Sequence, residues 1–167
     1  MFYKDEWLSF HFDKNVYGLK LNNINQEDLL QKWKDFNNNH IDENYFIYTK
    51  IKASAVKMLE CVGSLGFNLV DTNLEFLLTN PAINNKNKIN VGFAKKSYKK
   101  EIGKIARENF IFSRFHLDPN INNKLANHIK QDWAENYFLG KRGDKMVVAL
   151  LNDDPVGFLQ VIINHDE

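Results

Sequence analysis

A mixed α/β (α+β) fold in two units is predicted for this chain of 167 residues, and three features predict it. Strand and helix signals alternate through the first half. An asparagine-rich, apolar-poor stretch then interrupts the pattern. Two helical stretches followed by two β-rich runs close the sequence. The predicted organisation is a small β-α-β-α-β unit over residues 1–78, a linker over 79–90 and a β-α-α-β-β unit over 91–167.

The first unit reads in order. VYGLKL (16–21) is short and extended. Asn25 offers a side-chain cap to QEDLLQKWKDF, with Asp28 in its first turn. Leu29, Leu30, Trp33 and Phe36 line one face of that helix. NYFIYTKIK (44–52) alternates aromatic and β-branched residues, which predicts a strand. Ser54 is placed to cap AVKMLECVGSL, and Gly66 to end it in a left-handed turn. FNLVDTNLEFLL (67–78) reads as a third strand.

TNPAINNKNKIN (79–90) holds Pro81, five asparagines and two lysines, which makes it the linker. The second unit opens on a weak strand signal, INVGFAKK. Ser97 is expected to cap a helix to about Asn109, with Ile102, Ile105 and Ala106 on its inner face. Asn122 or Asn123 starts another helix, to about Phe138, striped by Leu125, Ile129, Trp133 and Tyr137. KMVVALLN (145–152) and VGFLQVIIN (156–164) are strands joined at DDP, an antiparallel hairpin.

Composition narrows the function. Apolar residues make up 44%, enough for a packed core, and 22 basic residues nearly cancel 21 acidic ones. A net charge of +1 argues against a broad nucleic-acid or anionic-membrane surface. The single cysteine, Cys61, cannot form an internal disulfide and is expected as a buried thiol. The five histidines lack zinc spacing, so no metal is expected. No signal peptide opens the chain and no segment is long enough to span a bilayer, so a cytoplasmic location is expected. There is no G-x-S-x-G, no P-loop and no paired-carboxylate signature.

The stretch FSRFHLDPNI (112–121) between the two later helices is unusual for a linker. It packs Arg114, His116 and Asp118 beside Phe112 and Phe115. A guanidinium offers the planar donor fork that phosphate needs. The alternative is a structural loop, with Arg114 paired to Asp118 or Asp132 and His116 satisfied locally. Trp133 and Tyr137 continue the apolar stripe and read as core. GKRGD (140–144) is similar to a phosphate-binding turn; the alternative is a solvated turn entering a strand.

The order of these pieces carries a resemblance. SRFHLDP, KxxWxxNYFLGKRGD, MVVAL and PVGFLQ in succession resemble the first half of a GNAT-fold N-acetyltransferase. Among these, they are most similar to the TDP-fucosamine (dTDP-4-amino-4,6-dideoxygalactose) acetyltransferases. FHFDKNVYGLKL and YTKIKASAVKMLECVGSLGFNLVDTNLEF resemble the segments ahead of the catalytic domain in those enzymes. The resemblance covers nearly the whole chain outside the linker. It implies acetyl transfer from acetyl-CoA, the co-substrate, to the amine of an amino sugar carried on a nucleotide. It implies a substrate-facing loop in which Arg114, Phe115, His116, Tyr137 and Arg142 bind the acceptor; it assigns no catalytic residue.

The sequence departs from the family in lacking its fourth strand, the tyrosine commonly used as general acid and the pyrophosphate turn. The turn Q/R-x-x-G-x-G/A, which holds the acetyl-CoA pyrophosphate at a helix N-terminus, is absent. The expectation is therefore the N-terminal portion of such an enzyme, whether truncated product, cloned fragment or frameshifted copy. The chain alone is expected not to bind acetyl-CoA tightly. Its last strand, lacking a next neighbour, is expected to invite self-association. Two other functions stay open: a GNAT enzyme acting on a peptide or small-metabolite amine, and a non-catalytic binding module.

Overall fold

The computed structural model describes residues 1–74, 76, 79 and 89–163. It divides into two compact units, Met1–Leu69 and Val70–Glu167. Both mix helices with a three-stranded sheet, in keeping with the α+β class. Among the described residues no helix is long and apolar enough to cross a membrane.

In the first unit, β1 (Phe2–Lys4), α1 (Glu6–Phe12), β2 (Asn15–Leu19), α2 (Gln26–Asn39), β3 (Tyr45–Thr49) and α3 (Val56–Ser64) follow in order. β2 is the central strand, antiparallel to β1 and parallel to β3, with α2 making the crossover. Leu19, Leu29, Cys61 and Val62 form the core, so the thiol is buried as expected. Asn25 caps α2, accepting from the Asp28 amide at 2.8 Å. Gly66, at φ 93°, closes α3: the Gly66 amide donates to the Gly63 carbonyl and the Phe67 amide to that of Val62. That is a Schellman turn, which satisfies two carbonyls the helix end leaves open.

Three expectations for this unit need correction. The first strand and helix, β1 and α1, are additional elements; α1 starts because the Asp5 carboxylate accepts from the Leu8 amide at 2.9 Å. Ser54 does not cap α3, whose N-terminus falls at Ala55 without a side-chain cap. The run 67–78 forms no strand among its described residues. Of the linker 79–90, only residues 79, 89 and 90 lie within the described set.

The second unit contains β4 (Asn90–Phe93), a 3-10 turn (Lys96–Tyr98), α4 (Lys99–Asn109), the one-turn α5 (Arg114–Leu117), α6 (Asn123–Phe138), β5 (Lys145–Leu151) and β6 (Asp154–Val161). This is the β-α-α-β-β order with a short helix added inside the loop. The strands lie β4-β5-β6, all antiparallel. Ile102 and Ala106 of α4, Ala134 of α6, and Met146 and Val148 of β5 make the core. Ser97 lies inside the 3-10 turn, and the cap position before α4 falls on Tyr98, which gives no side-chain cap. Asn122 does cap α6, accepting from the Leu125 amide at 2.9 Å.

The hairpin turn sits one residue earlier than DDP. Asn152 and Asp153 are both left-handed, at φ 51° and 67°. Two such residues make the type I′ turn whose twist suits a two-residue hairpin, and Asn and Asp tolerate that region. A bulge follows, because Ala149 faces Gly157 while Leu150 faces Pro155. Proline, with no N–H to give the ladder, is tolerated at such a place.

Among the described residues β6 pairs with β5 alone. Phe93, Val147 and Leu159 align across the three strands, and Phe93 and Leu159 are 68% and 64% exposed. An apolar row beside an unpaired edge favours pairing with a second chain. Leu159→Lys is expected to lower the mass seen by light scattering at high concentration. Identical masses for both proteins at every concentration would remove this row from the cause of association.

Candidate functional site

The loop between α4 and α6 is built by local hydrogen bonds. Ser113, extended and buried, starts α5, and its carbonyl accepts from the amides of His116 and Leu117 at 2.8 and 3.0 Å. The buried Asp118 carboxylate accepts from the Asn120 amide at 2.9 Å and from its side-chain nitrogen at 3.0 Å. This Asx turn, with Pro119 inside it, leads the chain toward the cap of α6.

His116 is engaged on both sides. Its Nε2 lies 2.8 Å from the Asn127 Oδ1 on α6, and its Nδ1 lies 2.8 Å from the Ser113 hydroxyl. An amide oxygen only accepts, so Nε2 carries the proton and Nδ1 accepts from the serine. The imidazole therefore ties the loop to α6, and both its nitrogens are occupied.

Arg114, Phe115 and Arg142 come together. The Arg114 guanidinium lies 4.7 Å from the centroid of the buried Phe115 ring. Phe115 meets Trp133 edge to face, with centroids 5.4 Å apart. The Arg142 guanidinium lies over Trp133 at 4.8 Å. Lys130, one turn before Trp133 on α6, completes the group. Its ammonium is 4.7 Å from the Trp133 centroid and 5.7 Å from that of Phe115. Each such cation–ring contact contributes about 0.5–1 kcal/mol where water still reaches it. Burial, then the nearby Arg114 and Arg142, hold the Lys130 ammonium below the ordinary lysine range, and Asp71 opposes them.

The turn after α6 aims Arg142. Gly140, at φ 66°, and Lys141 donate their amides to the carbonyls of Tyr137 and Asn136 at 3.0 and 2.9 Å, a second Schellman turn. The Gln160 side chain donates to the Arg142 carbonyl at 3.0 Å and lies where a Cβ on Gly143 would go. Gly140→Ala puts a side chain in the left-handed region at about 1–2 kcal/mol. It is expected to lower the melting temperature by roughly 2–8 °C, with Gly140→Asn losing less. Equal melting points for wild type and Gly140→Ala would mean the turn relaxes freely and does not fix Arg142.

Tyr137 lies elsewhere. Its ring meets Phe138 edge to face at 5.2 Å and packs against the core of Ile102 and Met146. Phe112 is 87% exposed on the same loop as Arg114. Lys130 was missed by sequence reasoning, although the K-x-x-W spacing with Trp133 places both on one helix face. Two surface concavities of the described residues, one lined by Ser9 and Asn44 and one by Lys104 and Gln131, include none of the cluster's residues. Neither gathers several cations over one ring pair, so the cluster is the stronger candidate.

A pyrophosphate-binding glycine turn must precede a helix and present its amides. Gly66 and Gly140 do the reverse, closing helix C-termini, and Gly143 enters β5. These left-handed glycines do not fit the acetyl-CoA pyrophosphate.

No family model matches the chain. It is similar to the spore coat polysaccharide biosynthesis protein SpsD of Bacillus subtilis (strain 168), at 26% identity over 172 aligned residues. That alignment covers 100% of this chain and 59% of SpsD, so the chain spans somewhat more than half the length of the curated relative it matches.

Proposed function

We propose that the protein supplies the acceptor-binding part of a GNAT-type N-acetyltransferase. Its acceptor is the amine of a nucleotide-linked amino sugar of the TDP-fucosamine kind, used in building a surface polysaccharide. The observation that carries this reading is the cluster of Arg114, Lys130 and Arg142 on the Phe115–Trp133 pair. It is formed by α5, α6 and the turn after α6 in a β-α-α-β-β unit. The polysaccharide role in the printed name of SpsD supports the same class of substrate.

In this chemistry a neutral amine attacks the thioester carbonyl of acetyl-CoA, loses a proton and expels the thiolate. Much of the catalysis is orientation of the two reactants. The cluster would hold the charged end of the acceptor and so fix where its amine lies. His116 would act on the acceptor through the loop, by holding α5 against α6.

Tryptophan fluorescence of the chain tests the acceptor class. Saturable quenching by the nucleotide-linked amino sugar, with none by peptide or simple amines at equal concentration, supports the reading. Preference for a peptide amine would move the site to another acceptor class.

A further inference from the structure

Lysine inside a helix ordinarily lies on a solvated face. Lys130 instead sits over two rings at once, Trp133 at 4.7 Å and Phe115 at 5.7 Å. Arg114 lies over one of those rings and Arg142 over the other. Lys130 thus shares each of its two rings with a guanidinium. Those two guanidiniums work against its charge, and the Asp71 carboxylate favours it. Cations gathered this way repel one another, and a bound anion of more than one charge offsets that repulsion.

We infer that Arg114, Lys130 and Arg142 form a diphosphate site, in which Lys130 selects two linked phosphoryl groups over one. The planar forks of the arginines bind the outer oxygens, and the lysine serves as a point charge between them. The place of this site in catalysis rests on the acceptor reading proposed above; its chemistry does not. A sugar joined to a nucleoside through pyrophosphate fits it, whereas a sugar monophosphate or a free amine leaves part of the cationic cluster unmatched.

Calorimetric titration of the whole chain with inorganic pyrophosphate, phosphate and sulfate at one ionic strength tests this. Pyrophosphate is expected to bind at least tenfold more tightly than the other two. Lys130→Met keeps the apolar stem and is expected to bring pyrophosphate down to the level of phosphate. If that variant fails to fold, Lys130→Gln makes the same comparison, and Lys130→Arg is expected to retain the preference. Equal affinities for pyrophosphate and phosphate in the wild type overturn the inference. So does a Lys130→Met protein that keeps the preference. Pyrophosphate selectivity in a chain that ignores the nucleotide-linked amino sugar supports the site and defeats the functional reading. Amino-sugar binding without pyrophosphate selectivity does the opposite.

Discussion

In a complete acetyltransferase bearing this loop, Arg114→Ala is expected to raise the Michaelis constant for the nucleotide-linked amino sugar by roughly ten- to over a hundredfold. That for acetyl-CoA should stay nearly unchanged. The magnitude follows from losing a charge-assisted hydrogen bond, about 1.5–3 kcal/mol, at about 1.4 kcal/mol per tenfold. Arg114→Lys should recover part of the loss, because the ammonium keeps the charge but not the planar fork. The structural alternative makes a different prediction. An arginine that only serves a surface ion pair costs under about 1 kcal/mol of stability when removed and leaves acceptor kinetics alone. Both Michaelis constants and the melting temperature, measured for the two variants, separate these cases. Unchanged acceptor kinetics would remove Arg114 from the site.

The largest stability effect is expected at Ile102. It is 0% exposed and packs with Ala106, Ala134, Met146 and Val148, where α4 and α6 meet the sheet. Ile102→Ala removes three methyl-sized groups and leaves a cavity, at a cost of about 2–4 kcal/mol. Ile102→Val should cost about 1 kcal/mol. Denaturant midpoints for the three proteins give the comparison. A loss below 1 kcal/mol for the alanine variant would mean that this core is loosely packed and cannot hold α6, and therefore Lys130 and Trp133, in place.

Local chemistry was the part of the fold most legible in sequence. Asn25 and Asn122 cap helices because their side chains reach amides three residues on, a rule that needs no tertiary partner. Gly66 closes α3 for an equally local reason. Short elements were less legible. β1 has 3 residues and α1 has 7, too few for either to show a clear period. Ser97 has the right residue type for a cap, but the chain enters α4 through a 3-10 turn that moves the helix start beyond it.

The candidate site was legible in pieces. Arg114, Phe115 and Arg142 stand out by residue type in a loop and a turn. Their meeting around the Phe115–Trp133 pair depends on the rotation of α6 and on the left-handed turn at Gly140, which only the folded chain fixes. Trp133 read as core because it continues the apolar stripe, yet it is half-buried and offers a ring to two cations. Lys130 stood in the sequence only as the first residue of the KxxWxxNYFLGKRGD pattern, with no site role attached.

The most direct test is a crystal structure of the chain with the TDP-linked amino sugar bound. The account predicts the diphosphate within hydrogen-bond distance of Arg114, Lys130 and Arg142, beside the Phe115–Trp133 pair. A ligand bound elsewhere on the chain, with these three side chains untouched, would contradict it.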